Sequence, residues 1–271
     1  MKRHLRNFLE RRTPLAAALY RALRDQLAAA RIAPRRAAEG FLLVGSDAVL
    51  SNAFEPDERR IAQRLMPQCD VFVDVGANVG LYTCLARAAG KQVVAIEPHR
   101  MNVQLLFRSI EANGWDDVEV WPVGVAAAPG VMTLYGGATG ASLVRGWAGV
   151  SDAFKQTIPV TTLDTLLARR FDGARLFVKM DIEGAELPAL QGAAALLKST
   201  PKPKWLMEIT LTQNRETPNP RFAETFALFF DEGYRCTTAD ADEREVTRED
   251  IARWTRDPQS ASPTYNWLFT F

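Results

Sequence analysis

The feature that most constrains the fold is a strand–turn–helix unit that repeats along the middle of the chain. Val71–Val75 is a mostly apolar run, a glycine-containing turn follows it, and a helix is predicted from Leu81. Apolar runs at Gln92–Ile96 and Val118–Trp121 flank a second predicted helix at Met101–Ala112. Strands that alternate with helices at this spacing form a parallel sheet with right-handed crossovers. The chain is therefore predicted to be an α/β protein.

The same alternation resumes after an interruption. Residues 124–160 are rich in Gly and Ala and break the rhythm, and insertions of this kind on an α/β scaffold often shape a binding cleft. Strands are predicted again at Leu176–Ile182, Trp205–Ile209 and Trp267–Phe271, with helices between them. We expect one domain over residues 41–271, with the insertion beside its binding site.

The N-terminal part of the chain differs from this domain in charge and pattern. Residues 1–36 carry ten Lys and Arg against two acids, a net charge of +8, whereas the remaining residues have a net charge of −7. Leucines recur at steps of four from Leu15, which predicts a helix. We expect residues 1–40 to be a basic helical extension that packs on the domain, docks on acidic lipid or contacts a second copy. A hairpin turn is predicted at Gly45–Asp47.

The composition argues against several classes of protein. The sequence contains no run of about 20 apolar residues, the length of a membrane span. The basic N-terminus lacks the uninterrupted apolar stretch of a signal peptide, so we expect a cytoplasmic location. A body with net negative charge does not favour a surface that follows nucleic-acid phosphates, so no nucleic-acid partner is expected.

The first candidate site is the turn after Val71–Val75, which reads Asp-Val-Gly-Ala-Asn-Val-Gly. A dinucleotide site would need G-x-G-x-x-G to bind pyrophosphate at the helix N-terminus. The order here is G-x-N-x-G, and Asp74 would repel a pyrophosphate but tolerate a cation. S-adenosylmethionine carries a sulfonium and an ammonium group and no phosphate. A plain strand–helix turn is the alternative. The residues predicted to contact S-adenosylmethionine here are Asp74, Gly76, Ala77, Asn78 and Gly80.

The second candidate is Glu97, which follows the strand Gln92–Ile96 and lies 23 residues after Asp74. An acid about 20 residues after the glycine turn accepts hydrogen bonds from the ribose hydroxyls in nucleotide-binding folds of this type. Pro98 then begins the next helix. We predict that Glu97 and Pro98 belong to the cofactor site. The alternative is that Glu97 interacts only with the positive end of that helix.

The third candidate site lies on the predicted strand Leu176–Ile182, which charged residues interrupt. Lys179 and Asp181 are two residues apart and so share one face of the strand. Buried charges are costly unless they are paired or used, and ligands bind beyond the carboxyl ends of such strands. We predict that Asp181 is the general base and contacts the cofactor, with Lys179 holding it and Glu208 as a further catalytic candidate. A structural ion pair with Glu183 as a capping acid is the alternative.

Four separated motifs, taken in order, resemble the FkbM-type methyltransferases. They are Asp74–Gly80 with Leu81-Tyr82-Thr83, then Glu97-Pro98, Thr162–Asp164 and Lys179–Glu186. The resemblance implies a Rossmann-like class I methyltransferase fold, with a mostly parallel seven-stranded sheet and an antiparallel last strand. It also implies S-adenosylmethionine as cofactor and O-methylation of hydroxyls on sugars or natural products. Through the first motif we expect Tyr82 and Thr83 at the cofactor site.

These observations together predict an O-methyltransferase that acts on a hydroxyl of a small molecule or glycoside. Two alternatives stay open. A nucleic-acid ribose methyltransferase would share the cofactor site and the need for a base. A non-catalytic protein could bind the cofactor on the same fold. No metal site is predicted, because the acids near Asp181 do not form a specific ligand set.

Overall fold

The structure of the chain is a computed structural model that describes residues 31–137, 140–149 and 155–271. Apolar runs at strand spacing form the sheets. The strands in chain order are β1 (Arg35–Arg36), β2 (Leu42–Leu43), β3 (Val71–Val75), β4 (Gln92–Ile96), β5 (Glu119–Trp121), β6 (Gly124–Val125), β7 (Gly130–Tyr135), β8 (Lys155–Thr161), β9 (Leu176–Met180), β10 (Lys204–Glu208), β11 (Arg235–Thr238), β12 (Glu245–Val246) and β13 (Asn266–Thr270).

The central sheet has eight strands in the order β12-β11-β13-β10-β9-β3-β4-β5. The strands from β10 to β5 are parallel to one another. The last strand of the chain, β13, lies antiparallel between β10 and β11. This is the Rossmann-like α/β fold predicted from the sequence. The sheet has one strand more than the predicted seven, because the two residues of β12 pair with β11 at its edge.

Helices pack on both faces of this sheet and form two cores. Alternation along β3 assigns Val73 and Val75 to one core and Phe72 to the other. None of the described helices is long and apolar enough to cross a membrane. The helices in chain order are α1 (Asp47–Leu50), α2 (Pro56–Leu65), α3 (Leu81–Ala88), α4 (Arg100–Ala112), α5 (Leu163–Leu167), α6 (Glu186–Gln191), α7 (Ala194–Leu197), α8 (Phe222–Asp231) and α9 (Arg248–Arg256).

The segment before the domain differs from its prediction. The hairpin turn was predicted at Gly45–Asp47, but β1 pairs antiparallel with β2, so the hairpin lies earlier in the chain. The residues from Asp47 form α1 instead of the second strand of the predicted hairpin. Asn113 at the end of α4 fixes the hairpin, because its side chain accepts from the N–H of Leu42 at 2.8 Å and donates to the carbonyl of Leu42 at 2.7 Å. The helix predicted within residues 1–36 lies largely outside the described residues.

The insertion at residues 124–160 forms a small sheet of its own, in the order β6-β8-β7. Its strands β7 and β8 are antiparallel. Leu134, Ile158 and Val160 form a small apolar core within it. Because the insertion follows β5 directly, this sheet stands next to the carboxyl ends of the central strands, where ligands bind in α/β folds.

Candidate active site

A cleft of about 840 Å³ opens at the carboxyl ends of β9, β3 and β4. Its wall contains most of the residues predicted for the cofactor site, and two of the three predicted catalytic residues, Lys179 and Asp181. Those that line it are Gly76, Ala77, Asn78, Tyr82, Glu97, Pro98, Lys179 and Asp181. Four other predicted residues do not line it, namely Asp74, Gly80, Thr83 and Glu208.

The turn after β3 brings the ends of three strands together. Gly76 and Ala77 donate their N–H groups to the carbonyl of Ile96, at 2.9 and 3.0 Å. Gly76 has a φ of +85°, and a Cβ there would lie 1.9 Å from the carbonyl oxygen of Asp181, so glycine is required for the approach of β9. The Oδ1 atom of Asn78 is buried and has no hydrogen-bond partner among the described residues. An unpartnered acceptor on a cleft wall indicates a ligand group at that place.

Asp74 lies behind this turn. Alternation along β3 points its side chain toward the Phe72 face, beneath α3, where it accepts a 2.6 Å hydrogen bond from Thr83 Oγ1. It is 2% exposed, and this burial raises the pKa of its carboxyl group. Gly80 packs against Leu106 of α4. In this placement Asp74, Thr83 and Gly80 fasten the turn to its neighbouring helices rather than line the cleft.

Glu97 is buried at the end of β4, and neutral donors hold its carboxylate. The N–H of Asn78 donates to Oε2 at 2.8 Å, while the N–H of His99 and Nδ2 of Asn102 donate to Oε1 at 2.7 and 3.3 Å. Burial raises the pKa of Glu97 to about 7, because these donors offset only part of the desolvation. A carboxylate has about four acceptor sites, so one remains free, on Oε2, and a second becomes available where a ligand hydroxyl replaces the long 3.3 Å contact with Asn102.

A charged cluster occupies the end of β9. Lys179 Nζ lies 3.2 Å from Asp181 Oδ2, 3.9 Å from Glu55 Oε2 and 4.6 Å from the centre of the Tyr82 ring. Burial acts to lower the pKa of Lys179, but the carboxylates of Asp181, Glu55 and Asp74 outweigh it, and the net shift is upward. Lys179 is therefore a fixed positive charge between two carboxylates of the cleft wall.

Three further carboxyl groups lie close to Asp181. Glu208 stands beside it because β10 and β9 are parallel and end in register. Burial and the negative charges of Asp181, Glu183 and Glu186 raise the pKa of Glu208 to about 10. Burial also raises the pKa of Glu183 and of Glu186 to about 7. This upward shift favours the neutral form of Glu208, which can donate a hydrogen bond, over the carboxylate that a general base requires.

The insertion is attached across the end of β9. The ring of Trp147 packs against Gly184, where a Cβ would lie 2.4 Å from the ring. Its Nε1 donates to Glu183 Oε2 at 2.6 Å, and Ser142 Oγ donates to the carbonyl of Glu183 at 2.5 Å. The insertion and the residue that leads into it also give the cleft an apolar wall. This wall consists of Val123, Val125, Leu134, Ala141 and Leu143.

The family described as methyltransferase FkbM domain matches residues 74–236, which is well over half of the chain. The chain belongs to the FkbM methyltransferase family. The matched residues contain the glycine turn, Glu97, the charged end of β9 and Glu208. The chain is therefore an S-adenosylmethionine-dependent methyltransferase, as the motifs predict.

Solved structures similar to this FkbM methyltransferase include three methyltransferases. A TehB-like S-adenosylmethionine-dependent methyltransferase from Corynebacterium glutamicum is 8% identical over 79% of this chain and 84% of that chain, with a TM-score of 0.42. A precorrin-6y C5,15-methyltransferase from Geobacter metallireducens is 11% identical over 78% and 85%, with a TM-score of 0.39. A ribosomal protein L11 methylase from Lactobacillus delbrueckii is 12% identical over 66% and 67%, with a TM-score of 0.35. No curated protein sequence matches the chain.

The cleft of this FkbM methyltransferase suits a cationic cofactor that has no phosphate. Glu97 offers acceptors for ribose hydroxyls, and Asn78 Oδ1 is an unused acceptor beside it. Of the residues that line the cleft, Lys179 alone is cationic, whereas Glu55 and Asp181 are among its acids. A pyrophosphate would meet these carboxylates, and S-adenosylmethionine would not be repelled. Within the described ranges, no group of three or more His, Cys, Asp or Glu is arranged to hold a metal ion.

Three residues of the site were not predicted from the sequence. Asn102 lies five residues after Glu97 in the first turn of α4, and this short spacing could have indicated it. Glu55 precedes α2 and lies outside the matched region, and no local pattern marks it. Trp147 lies in the insertion, where nothing in the sequence fixes its partner. Long-range packing alone brings Glu55 and Trp147 to the end of β9.

Proposed function

We propose that this FkbM methyltransferase transfers the methyl group of S-adenosylmethionine to a hydroxyl oxygen of a small molecule or glycoside. The observation that carries the proposal is the carboxylate of Asp181 on the cleft wall, 3.2 Å from the fixed positive charge of Lys179. An alcohol oxygen is a poor nucleophile until its proton leaves, and a positioned carboxylate can take that proton. This supports a hydroxyl acceptor.

The residues of the cleft have separate tasks in this reaction. The cofactor supplies a methyl group on a sulfonium, which is reactive enough that alignment is the main contribution of the protein. Glu97 orients the nucleoside through its carboxylate. Asp181 accepts the proton of the acceptor hydroxyl, and Lys179 stabilises the ionised carboxylate and fixes its direction.

The charge around the cleft favours acceptors without phosphate. Glu55, Asp181 and Glu183 all line it, against the single cation Lys179. A nucleic-acid backbone carries one negative charge per nucleotide and is bound by clusters of Lys and Arg. The excess of acids would repel such a backbone. We therefore favour a small molecule or glycoside over a nucleic-acid ribose as the acceptor.

The acceptor class is tested with a labelled methyl donor. Purified protein is incubated with S-adenosylmethionine labelled in its methyl group and with fractionated small-molecule extracts, and the products are analysed by mass spectrometry. We expect a labelled product that is heavier than its precursor by one methylene and whose new methyl group is on oxygen. A product methylated on nitrogen or carbon would contradict the proposal, and so would transfer to RNA in place of small molecules.

Asp181→Asn is the decisive variant, because it keeps the shape of the side chain and removes its ability to take a proton. We expect turnover to fall by about 10²- to 10⁴-fold, the usual contribution of a general base. The dissociation constant of S-adenosylhomocysteine should stay within a few-fold. Asp172→Asn, at an exposed position, is the matched control and should leave both values unchanged. Near-normal turnover in Asp181→Asn would remove Asp181 as the base.

A further inference from the structure

Glu55 reaches the cleft from outside the matched family region. It is the last residue before α2, with a φ of 48° and Pro56 directly after it. A non-glycine residue in this left-handed conformation is uncommon and is often found at ligand sites. Its side chain is 25% exposed and lines the cleft together with Phe54. The backbone of the loop thus presents one carboxylate to the cavity.

The contacts of Glu55 fix one of its oxygens and leave the other available. Tyr82 OH donates to Oε2 at 2.7 Å, and Lys179 Nζ lies 3.9 Å from the same atom. The second oxygen, Oε1, accepts no hydrogen bond from the described residues. Asp181 binds the same lysine from the other side, at 3.2 Å. One lysine therefore holds two carboxylates of the cleft wall, and this side of the cleft has a net negative charge.

The order of the strands determines which part of the cofactor lies here. The sheet order is β9-β3-β4, so Glu97 at the end of β4 and Asp181 at the end of β9 stand on opposite sides of the glycine turn after β3. With the ribose at Glu97, the methionine part extends across β3 toward β9. The ammonium group of that part has three N–H donors and a positive charge, and it needs oxygen acceptors.

We propose that Glu55 binds the ammonium group of the methionine part of the cofactor, opposite Asp181. The carboxylate supplies the negative charge and the unused acceptor atom, while Tyr82 and Lys179 hold it in place. Glu55 is a binding residue in this role and takes no part in proton transfer. The proposal concerns the cofactor alone, so it stands whichever acceptor receives the methyl group.

The test compares two ligands that differ in the group concerned. S-adenosylhomocysteine contains the amino-acid part, and 5′-methylthioadenosine has the same adenosine and thioether without it. By calorimetry, we expect Glu55→Gln to weaken S-adenosylhomocysteine by about 10- to 100-fold, the scale of a hydrogen bond between charged groups. The affinity for 5′-methylthioadenosine should change by less than about threefold. Glu55→Asp, which keeps the charge, should recover part of the lost affinity.

Glu58→Gln is the matched control. Glu58 is the next glutamate along the chain and lies in α2, where its carboxylate accepts a hydrogen bond from Asn266 and does not line the cleft. Glu58→Gln should change the affinity for S-adenosylhomocysteine and the affinity for 5′-methylthioadenosine by less than about threefold. Equal weakening of both ligands by Glu55→Gln would overturn the proposal, because it would mean that Glu55 maintains the shape of the cleft. Unchanged affinity for both ligands would also overturn it and would assign Glu55 to the acceptor side.

Discussion

The two ends of the cofactor cleft hold their carboxylates by different means. At the end where we propose that the ribose binds, here called the nucleoside end, Glu97 is buried among neutral donors, the N–H of Asn78 and the amide of Asn102. At the charged end, Asp181 and Glu55 lie on either side of Lys179. No cation contacts Glu97 among the described residues, and burial raises its pKa to about 7. At the charged end, the carboxylates lie close to the positive charge of Lys179.

In our proposal, this difference assigns recognition of the cofactor nucleoside to one end of the cleft and proton transfer to the other. Neutral donors occupy most of the acceptor sites of the Glu97 carboxylate without adding a permanent countercharge, and the remaining capacity can accept ligand hydroxyls. At the charged end, the ammonium group of Lys179 instead places a fixed positive charge 3.2 Å from the Asp181 carboxylate. We therefore expect cofactor affinity to depend on pH near neutrality through Glu97. We expect the stability of the charged end to depend on Lys179.

The largest effect is expected from removing the lysine of the charged end. Lys179→Met leaves the carboxylates of Asp181, Glu55 and Asp74 without their cation in a buried site. Breaking a buried ion pair by removing one partner costs about 3–5 kcal/mol. We expect the free energy of unfolding, measured by denaturant titration, to fall by this amount.

A surface lysine provides the control for this loss. Lys198 has a side chain that is 64% exposed and lies 3.6 Å from Glu232. Exposed ion pairs contribute about 0–1 kcal/mol, so Lys198→Met should lower the free energy of unfolding by no more than that. If the two variants are equally stable, Lys179 does not hold the charged end together, and the contrast between the two ends fails.

A smaller effect is expected from pH at the nucleoside end. The pKa of Glu97 is raised from its usual value to about 7, so the ionised form that accepts both ribose hydroxyls appears as the pH rises through 7. The affinity for S-adenosylhomocysteine should therefore increase from pH 6 to pH 8. At pH 6 roughly a tenth of the carboxyl is ionised, which corresponds to about tenfold weaker binding. Calorimetry at constant ionic strength measures this.

The variant Glu97→Gln distinguishes the effect of Glu97 titration on affinity from the effect of other carboxyl groups. Glu183 and Glu186 also have pKa values raised to about 7, and they titrate in the same range. The variant should bind S-adenosylhomocysteine more weakly at pH 8 and show a flatter profile between pH 6 and pH 8. A profile as steep as that of the unaltered protein would assign the pH dependence to the other carboxyls.

The position of Glu97 beside the glycine turn could be predicted from the sequence because it is local. A β-α-β unit has a nearly fixed length, so an acid about 20 residues after the glycine turn comes to the adjacent strand end. The alternation of side chains along a strand likewise placed Lys179 and Asp181 on one face, and the structure shows them in contact. Short-range geometry was sufficient for both inferences.

The remaining features depend on contacts between distant parts of the chain. Glu55 meets Lys179 across 124 residues of sequence, and Trp147 meets Glu183 across 36. The upward shift in the pKa of Glu208 depends partly on three other carboxyls that only the fold assembles. The sequence did not indicate that Asp74 points inward, because the motif is the same whether its side chain contacts a ligand or Thr83.

The most direct test of the two-ended cleft is a crystal structure of the protein with S-adenosylhomocysteine. We expect both ribose hydroxyls to lie within hydrogen-bond distance of the Glu97 carboxylate, at the end of β4. We expect the ammonium group to lie near the end of β9, within hydrogen-bond distance of the Glu55 carboxylate, with Asp181 left to face the acceptor. A nucleoside bound at the end of β9, or ribose hydroxyls that do not contact Glu97, would contradict this account.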